Sequence, residues 1–540
     1  MPKKLLAILL LVAFVLRVVG IGYGLPLWLV GDEPAFIFGS FKMMELHTLI
    51  PAFHQADFIS TFYYPPYLSY LYLLPFIAVA CVKYLFFSGT FGEFTQFLQT
   101  DLSVFFLVSR LISAMIGTAT VYVVYRVGKN MFHREGTALL AAAFLAFSFL
   151  HVNFSHWGRH WVPATGMFSL ILFCLSHPEW SARKRYLTAS LIVGVGMGVT
   201  QQVGLLTLCI VIWFFLVDRF GLRTLREWWP WACVGMYLFL SLIAYSLWPP
   251  GFYVAAAAGE FIAKTPKTLS GFLSGYEFYF MNLVRSEPLL LLWLIIRCVV
   301  GIKHRDRFLL ASAVFGFLYI AAFYFLFLHT DRFLLLLYPL FALVAARGIS
   351  VVGEKKFFTV ATMVFMMIPV IRYDLLLVKN DTRIQMLQIA KKEIPAGAKV
   401  MVMAPLTRLP ATVQSIEEQE VVDAASIRSV DNAERFSSVV LAPPRYHALN
   451  LFSVRNVDFL ANIGEYRQSH GYEYVIYEPL LAEERVGDIF ARGGTTIAQL
   501  HGYVESRGDS VVNGIGDGWK QLFFSSSIGP EMVMKKFSIY

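Results

Sequence analysis

The sequence is poor in charge and in cysteine. Only 15% of its 540 residues are charged, whereas soluble domains usually contain about 25%. All five cysteines precede residue 299 and lie in or beside apolar segments, so neither a disulfide framework nor a thiolate metal site is predicted. The P-loop, the dinucleotide-binding glycine fingerprint, the nucleophile elbow and the HExxH motif are all missing. These absences argue against the common classes of soluble enzyme.

Long hydrophobic runs are abundant instead, and they are confined to residues 1–376. A helix needs about 20 apolar residues to cross a bilayer, and runs such as LLAILLLVAFVL and ASAVFGFLYIAAFYFLFL have this character. The pattern predicts a polytopic α-helical membrane protein with about 11–13 spans. The twelve predicted spans are 4–22, 66–88, 102–125, 136–150, 163–178, 187–200, 203–217, 229–247, 283–300, 308–328, 333–347 and 357–373.

Short basic loops predict the orientation, because Lys and Arg mark the cytoplasmic side of a membrane protein. The net charge of +9 lies mostly in such loops, so it does not indicate a nucleic-acid partner. Five basic loops predict that 151–162, 248–282, 329–332 and everything after 373 lie outside a plasma or inner membrane. We therefore predict a membrane-embedded module at 1–378 and an extracytoplasmic domain at 379–540.

The first loop creates a conflict in this topology. Lys3 and Lys4 predict a cytoplasmic N-terminus and a retained first anchor, which puts the loop 23–64 outside. Returning to a cytoplasmic Arg126 then requires an odd number of crossings, but only two apolar segments lie between 66 and 125. Either one of them is re-entrant or interfacial, or a third crossing is hidden.

The C-terminal region reads as a small α/β domain. A helical stretch from Thr382 to Lys392 ends before Pro395 and Gly397. Short β-rich runs follow at 398–404, 437–442, 472–477 and 532–537. Apolar runs that alternate with helical patterns predict a mixed sheet covered by helices.

Two adjacent carboxylates, Asp32 and Glu33, open the first outer loop directly after an apolar span. Pro34 suits the first turn of a helix, so both acids have a structural interpretation as helix caps that favour the positive end of the dipole. The alternative is catalysis at headgroup depth, where the aromatic and Met residues that follow would lie on the bilayer surface.

Tyrosines and prolines end the same loop. Tyr63 and Tyr64 precede Pro65 and Pro66, where the next apolar segment begins. An interfacial aromatic belt is the simplest interpretation, and stacking on a sugar ring is the alternative.

A second outer loop, residues 151–161, concentrates His156, Arg159 and His160 between two spans. These side chains are candidates for binding phosphate or a metal, and the alternative is an ordinary solvated loop. The two histidines are four residues apart, as zinc ligands often are, but the sequence specifies no third ligand. A divalent metal is therefore left open.

A third outer turn contains Asp331 and Arg332 between two strongly apolar segments. Charges this close to hydrocarbon are costly unless they are paired or functional. Arg332 is suited to a phosphate oxygen, or it forms a simple pair with Asp331. Arg17 and Arg110 lie near span ends, where we expect them to snorkel to the interface.

Together these motifs resemble the membrane-embedded C-type (GT-C) glycosyltransferases, closest to the protein O-mannosyltransferase and aminoarabinose-transferase-like group. The acidic pair after the first span, the Pro65-Pro66 pair and the stretch RLISAMIGTATVYVVYRVGKNMF carry the resemblance. SHWGRHWVP and DRFLLLLYPLFALVAARGI are similar to two further regions of that group. The resemblance covers nearly the whole membrane part and is less diagnostic for the C-terminal domain.

The resemblance implies an inverting glycosyltransferase that moves a hexose or pentose from a polyprenyl-phosphate donor. The acceptor would be a hydroxyl of a protein, lipid or polysaccharide at the outer membrane face. Asp32 would be the general base, assisted by Glu33, and Arg159 and Arg332 would bind the donor phosphate. The chain departs from the group at Tyr64, where relatives often carry a charged residue, and at His160, where an acid is common.

A transporter or flippase for a lipid-linked glycan precursor is the main alternative. Transporters tend to keep ionisable groups or broken helices near the bilayer midplane and often show paired repeats. Here the polar clusters lie at span ends on one face, which favours interfacial chemistry. A catalytically inactive glycan-binding protein is the second alternative.

Overall fold

The structure is a computed structural model of the full chain. It describes residues 2–58, 64–248, 268–304, 306–326, 330–351, 356–404, 407, 409–423, 444–452, 454, 456–502 and 519–538. Two compact units share these residues. The first comprises Met1–Ile21, Asp32–Phe76 and Val108–Arg372, and the second comprises Gly22–Gly31, Ile77–Leu107 and Tyr373–Tyr540.

The described residues before 380 are mostly helical. Its α-helices are, in order, α1 Pro2–Val18, α2 Glu33–Glu45, α3 Gln55–Phe58, α4 Tyr67–Leu85, α5 Phe91–Thr100, α6 Ser103–Phe132, α7 Glu135–Ala146, α8 Phe149–Ser155, α9 Trp161–Ser176, α10 Ala182–Gly196, α11 Leu206–Ile212, α12 Trp228–Ser246, α13 Leu269–Ser286, α14 Pro288–His304, α15 Arg307–Leu326, α16 Tyr338–Val351 and α17 Lys356–Leu377. A π-helical turn, Trp213–Val217, extends α11, and a 3-10 turn, Asp331–Leu337, precedes α16.

Every one of the twelve predicted spans coincides with a helix or a helix pair, and this confirms the helical membrane fold. Among the described residues, five segments are long and apolar enough to cross a bilayer, or six if one bent pair counts as a single span. They are Tyr67–Leu85, Ser103–Phe132, Trp228–Ser246, Asp331–Ser350 and Phe357–Glu393. Four shorter apolar helical segments accompany them.

A break between α7 and α8 bends one predicted span by 59°. Backbone groups on both sides of this break have hydrogen-bond partners. The buried Arg17 guanidinium donates to the oxygens of Leu145 and Ala146 at the end of α7. Glu287 accepts from the amide of Leu150 and from the hydroxyl of Ser148 at the start of α8. A cation at a helix C-terminus matches the helix dipole, and Glu287 accepts the hydrogen bonds on the other side, so the break is a stabilised feature of the fold.

The structure also corrects two details of the sequence interpretation. The predicted outer loop 248–282 ends in helix, because α13 begins at Leu269 after a side-chain cap by Thr268. The predicted span 283–300 is interrupted at Glu287, where Pro288 begins a new helix. Proline lacks the amide that would continue α13 and is tolerated in the first turn of a helix, which explains the break.

The C-terminal half of the second unit is an α/β fold. Its elements are α18 Thr382–Glu393, β1 Lys399–Met403, α19 Val413–Asp423, β2 His447–Asn450, α20 Val457–Ala461, α21 Ile463–Ser469, β3 Tyr474–Tyr477, α22 Pro479–Val486, β4 Thr495–Leu500, α23 Trp519–Phe524 and β5 Met532–Lys536. The five strands have the order β2-β1-β3-β5-β4. β1 pairs in parallel with β2 and β3, and β5 pairs antiparallel with β3 and β4.

These elements confirm the predicted helix at 382–392 and three of the four predicted β-runs. The fourth run, 437–442, lies outside the described residues. One face of the sheet packs on helices through buried side chains that include Met401, Leu449, Val475 and Val533. At the start of α18, Asp381 caps the helix, accepts from the Tyr23 hydroxyl at 2.5 Å and pairs with Arg383.

Candidate active site

Asp32 occupies the N-cap position of α2, but its side chain makes no capping hydrogen bond. Its backbone is in the left-handed region, with φ of 61°. A non-glycine residue in this region is uncommon and is worth a functional explanation. The structure therefore contradicts the capping interpretation of Asp32, because the carboxylate points elsewhere.

The Asp32 carboxylate instead accepts two hydrogen bonds and forms one longer ion pair. The buried Arg159 guanidinium donates to Oδ2 at 2.5 Å, and the Tyr64 hydroxyl donates to the same oxygen at 3.0 Å. Arg332 Nη1 lies 3.9 Å from this oxygen. The Asp32 side chain is nevertheless 41% exposed, so part of it is accessible to solvent. One carboxylate between two guanidinium groups leaves a net positive charge at the site.

These partners determine the protonation of Asp32. Burial raises the pKa of its carboxyl, but the charges of Arg159 and Arg332 and the Tyr64 hydrogen bond outweigh that effect, so the pKa lies below its ordinary value. Burial and the nearby Asp32 raise the pKa of the Tyr64 phenol, which therefore remains a hydrogen-bond donor. At neutral pH the site holds an ionised carboxylate.

A tight loop after α8 delivers Arg159. Trp157 anchors this loop, because its ring nitrogen donates to Asn153 Oδ1 one turn earlier and its backbone oxygen accepts from the Arg159 amide. Gly158 must be glycine for steric reasons. A Cβ there would lie 2.4 Å from Ser109 Oγ and 3.2 Å from Glu33 Oε1.

Glu33 faces the opposite way from Asp32 and is fully buried. Its Oε1 accepts from Arg110 Nε and from the Gly158 amide, both at 2.8 Å, and its Oε2 accepts from Arg110 Nη2 at 2.6 Å. Arg110 also donates to the Ile21 backbone oxygen. The expectation that Arg110 snorkels to the interface is wrong, and so is the same expectation for Arg17. Both guanidinium groups are buried in specific hydrogen bonds because α6 and α1 carry them into the helix bundle.

His160 lies beside the carboxylate site as an aromatic wall. Its ring packs at 4.6 Å from Tyr64 and 4.3 Å from Trp161, between centroids. Neither ring nitrogen has a hydrogen-bond partner in the described part of the chain. Burial, with the charges of Arg159 and Arg332, lowers the pKa of His160 well below its ordinary value. The imidazole is therefore neutral, and it is fully buried.

His156 is held away from this wall. Its ring nitrogens lie 2.9 Å from the Val152 oxygen and 2.8 Å from the Val19 oxygen, inside the bundle. Both nitrogens therefore face backbone carbonyl oxygens, which explains why His156 does not converge with His160 despite the spacing. Within the described ranges, no group of three or more His, Cys, Asp or Glu side chains could hold a metal ion.

Arg332 reaches Asp32 from the 3-10 turn before α16, and its guanidinium lies 5.7 Å from the Trp161 ring centroid. Its Nε and Nη1 have no hydrogen-bond partner among the residues described. Asp331 is buried beside it and accepts from Asn282. Of the two interpretations of this turn, the contact with Asp32 favours a role for Arg332 at the site.

The structure thus brings together Asp32, Tyr64, Arg159, His160 and Arg332, all of which were candidates. Tyr63 lies outside the described residues. Two residues that contribute to the site, Arg110 and Gly158, were not predicted from the sequence. An arginine inside an apolar run was the available signal for Arg110, because such a charge needs a buried partner.

Comparisons with known proteins place this site in context. Residues 92–248, less than a third of the chain, match the family model of dolichyl-phosphate-mannose-protein mannosyltransferases. This match confirms the resemblance to the protein O-mannosyltransferase group over those residues, which include Arg110 and Arg159. No curated protein matches the chain.

Several solved structures share partial similarity. An oligosaccharyltransferase of Archaeoglobus fulgidus, in complex with zinc and sulfate, is 13% identical to this chain, with a TM-score of 0.49. The matched region covers 92% of this chain and 72% of the oligosaccharyltransferase chain. ArnT from Cupriavidus metallidurans in the apo state is 14% identical, with a TM-score of 0.44, and the match covers 86% of this chain and 80% of ArnT. The structure of the same protein bound to undecaprenyl phosphate is 12% identical, with a TM-score of 0.42, and the match covers 92% of this chain and 96% of ArnT.

Proposed function

We propose that the chain is a membrane glycosyltransferase that transfers a sugar from a polyprenyl-phosphate donor to an acceptor hydroxyl. The observation that supports this most is the Asp32 carboxylate. It lies at the start of a helix without capping it, it contacts two arginines and a tyrosine, and it is partly exposed. The matched mannosyltransferase family model supports the same reaction class.

The charges of the site suit the donor. A polyprenyl-phosphate sugar is a phosphodiester with one negative charge, and the cluster of Asp32, Arg159 and Arg332 carries one net positive charge. Arginine offers a planar set of donors that matches phosphate oxygens. As the sugar leaves, charge develops on the phosphate oxygen, and pre-placed guanidinium groups stabilise that charge in the transition state.

Donor binding would also prepare the base. Arg159 and Arg332 depress the pKa of Asp32 while they contact its carboxylate. A phosphate that draws these guanidinium groups away leaves Asp32 a stronger base. Asp32 then accepts the proton of the acceptor hydroxyl, whose oxygen bonds to the anomeric carbon. The bond from that carbon to the phosphate oxygen breaks, and its electron pair leaves with the polyprenyl phosphate.

The neighbouring residues would position the reacting groups. Glu33 and Arg110 fix the start of α2, and the Gly158 amide ties the Arg159 loop to the same carboxylate. Tyr64 would provide ring surface for a sugar beside Asp32, with His160 packed against the Tyr64 ring. We further propose that residues 1–378 form the catalytic module in the membrane and that 379–540 form an extracytoplasmic domain that helps bind the acceptor.

The test compares Asp32→Asn with Asp57→Asn. Asp57 is an exposed acid in the same outer loop and contacts His54 only weakly, at 4.0 Å, so it is a matched control. Glycolipids and glycoproteins from cells that lack the gene, and from cells that carry each variant, would be compared by mass spectrometry. General-base removal typically costs about 10²–10⁴-fold in rate, so Asp32→Asn should abolish the modification and Asp57→Asn should retain it.

A second readout separates the alternatives. Purified Asp32→Asn protein should still bind undecaprenyl phosphate, because Arg159 and Arg332 remain. A flippase would still move its lipid-linked precursor in the Asp32→Asn variant, and no glycan would be missing in those cells. Unchanged sugar transfer by Asp32→Asn, with normal folding, would contradict the proposal.

A further inference from the structure

A cavity of about 340 Å³ lies among α10, α11 and α12, within the first compact unit. Its walls are mostly apolar and aromatic side chains, to which Ser190, Thr207 and Cys233 add small polar groups. The volume falls in the range of small-molecule sites, about 300–1,000 Å³. None of the residues that line it belongs to the Asp32 site, so the cavity needs an explanation of its own.

Close packing at one end of α10 and α12, and bulky rings at the other end, create this space. A Cβ at Gly194 would lie 2.8 Å from Leu240 Cβ, so the two helices touch there. Toward the start of each helix, the Tyr186, Phe214 and Trp229 rings pack together with centroids 5.5–5.9 Å apart. The cavity is the space between these two contacts.

The wall that continues α11 is irregular. Residues Trp213–Val217 form a π-helical turn, and two of them, Phe214 and Phe215, line the cavity. Turns of this kind are rare and frequently occur at functional sites. The irregular wall therefore supports a binding role for the cavity.

The rim of the cavity is apolar and exposed. Val211 and Phe215 on one side are 51% and 39% exposed, and Val234 and Leu238 of α12 are 47% and 57% exposed. These two α12 residues belong to Trp228–Ser246, which is long and apolar enough to cross a bilayer. Exposed apolar side chains on such a segment contact hydrocarbon. The occupant therefore enters from the bilayer and has an apolar chain.

A basic turn adjoins the same cavity. The 3-10 turn Leu222–Arg226 contributes Leu225 to the lining, and it carries the exposed Arg223 and Arg226. The segment 182–228 contains six Lys and Arg residues and only two acids, so this end of the helices has a net positive charge. A negatively charged headgroup matches that charge.

Tryptophans indicate the depth of this end in the membrane. Trp228 and Trp231 are 61% and 63% exposed, and tryptophan is enriched at the interface between lipid and water. The Arg183 guanidinium lies 5.7 Å from the Trp228 ring centroid, and the Trp231 ring nitrogen donates to the Leu225 backbone oxygen at 2.8 Å. The basic turn therefore lies at headgroup level, beside a cavity that accepts an apolar chain.

We propose that this cavity binds an acyl chain of an anionic phospholipid, whose phosphate is held by Arg223 and Arg226. Clusters of Lys and Arg next to a membrane span attract the anionic lipids of the cytoplasmic leaflet, and the basic loops predict that this end faces the cytoplasm. The predicted topology puts Asp32 on the opposite side of the membrane. The site is therefore separate from the proposed donor site, and its occupant is a lipid that is not consumed.

Photolabelling of the full-length protein tests the site. The protein is reconstituted in phosphatidylcholine vesicles with phosphatidylglycerol that carries a diazirine in its acyl chain, and labelled peptides are identified by mass spectrometry. Phe365 of α17, which is 62% exposed, is the reference for ordinary boundary lipid. We expect unlabelled phosphatidylglycerol to displace the label at Phe214 and Cys233 and to leave the label at Phe365 unchanged.

Two results of this competition contradict the proposal. Equal displacement at the cavity and at Phe365 means that only boundary lipid is present. Displacement by undecaprenyl phosphate but not by phosphatidylglycerol means that the cavity belongs to an isoprenoid. Both results come from the wild-type protein, so they do not depend on the folding of a variant.

The headgroup contact is tested by the double variant Arg223→Gln/Arg226→Gln. Each arginine near an anionic surface is worth roughly fivefold in affinity, so the label at Cys233 should fall by at least that factor. The control, Lys129→Gln/Arg134→Gln, removes the same charge from another basic segment and should retain the label. An equal fall in both double variants indicates a non-specific charge effect and overturns the assignment of the two arginines.

The chain contact is tested by Val234→Trp, which blocks the rim from an exposed position and makes no steric demand on the helix bundle. Phe239→Trp is the matched control, because Phe239 is an exposed residue of the same helix that does not line the cavity. We expect Val234→Trp to lose the label at Phe214, and Phe239→Trp to keep it. Undiminished labelling of Val234→Trp overturns the proposal.

Discussion

Asp32 and Glu33 are neighbours in sequence and opposites in environment. Glu33 is sealed from solvent, with both oxygens satisfied by Arg110 and the Gly158 amide. Asp32 is 41% exposed and shares one oxygen among Arg159, Tyr64 and Arg332. The closed pair holds structure, and the open cluster retains charge that a ligand can use. Two identical functional groups thus acquire different roles from the direction in which the start of α2 points them.

Among the substitutions that test this difference between the two acids, Glu33→Gln should have the largest effect. Removing one partner of a buried ion pair leaves Arg110 uncompensated, which typically costs about 3–5 kcal/mol. We expect loss of folded protein or a large fall in Tm, measured by thermal unfolding in detergent. Asp32→Asn is the comparison and should lower Tm less, because the Asp32 side chain is 41% exposed. Equal effects of the two substitutions would contradict the division between them.

A third carboxyl, Glu478, sharpens the comparison because it is buried with no hydrogen-bond partner in the described part of the chain. Burial, partly offset by Arg383, raises its pKa from 4.5 to about 7. The folded state therefore binds a proton that the unfolded state releases, and stability falls as pH rises between these values. The loss at pH 8 is at most about 3 kcal/mol.

Glu478→Gln should remove that pH dependence. We expect a higher Tm than wild type at pH 8 and little difference at pH 5, measured by scanning fluorimetry. The exposed Glu483→Gln should change Tm at neither pH. A wild-type Tm that does not fall between pH 5 and 8 relative to Glu478→Gln would show that the carboxyl has a partner.

Arg332→Gln probes the open cluster. It removes a charge that we assign to the donor phosphate, and a lost charge-assisted hydrogen bond is worth about 1.5–3 kcal/mol. We expect the Kd for undecaprenyl phosphate to rise at least about tenfold, measured by microscale thermophoresis. Arg332→Lys should recover part of the affinity. The exposed Arg183→Gln is the control, and an equal loss there would indicate a non-specific charge effect.

The smallest expected effect is on the pH profile. Because Asp32 has a lowered pKa, kcat/KM should stay level as the pH falls from 7 to about 5, and it should decline only as Asp32 itself is protonated. Arg332→Gln removes one cause of the lowering, so the acidic decline should begin at higher pH. An unchanged decline would mean that Arg332 does not act on Asp32.

Much of this arrangement was predictable from the sequence. Apolar runs of membrane length predict their helices directly, and turn residues bracket the short strands, so the helices and most of the sheet agree with expectation. Asp32, Arg159 and Arg332 were identified because charges beside hydrocarbon need a reason to be there. The family resemblance then gave them a common role.

The remaining features depend on contacts far apart in the chain. Glu33 and Arg110 are separated by 77 positions, and no local pattern indicates which acid an arginine inside an apolar run will meet. The same holds for the break between α7 and α8, which is stabilised by Arg17 from α1 and by Glu287 from the α13–α14 junction. The sequence from 138 to 150 is apolar except for Ser148, and one serine does not predict a break.

The left-handed backbone conformation at position 32 affects which residue is most stable there. Such a conformation costs an ordinary L-residue roughly 1–2 kcal/mol, and glycine adopts it freely. By conformational preference alone, a second glycine after Gly31 would make the more stable chain. An aspartate there lowers the stability of the fold and supplies a carboxylate. This compromise is expected at a position that is selected for activity, as we propose for Asp32, rather than for stability.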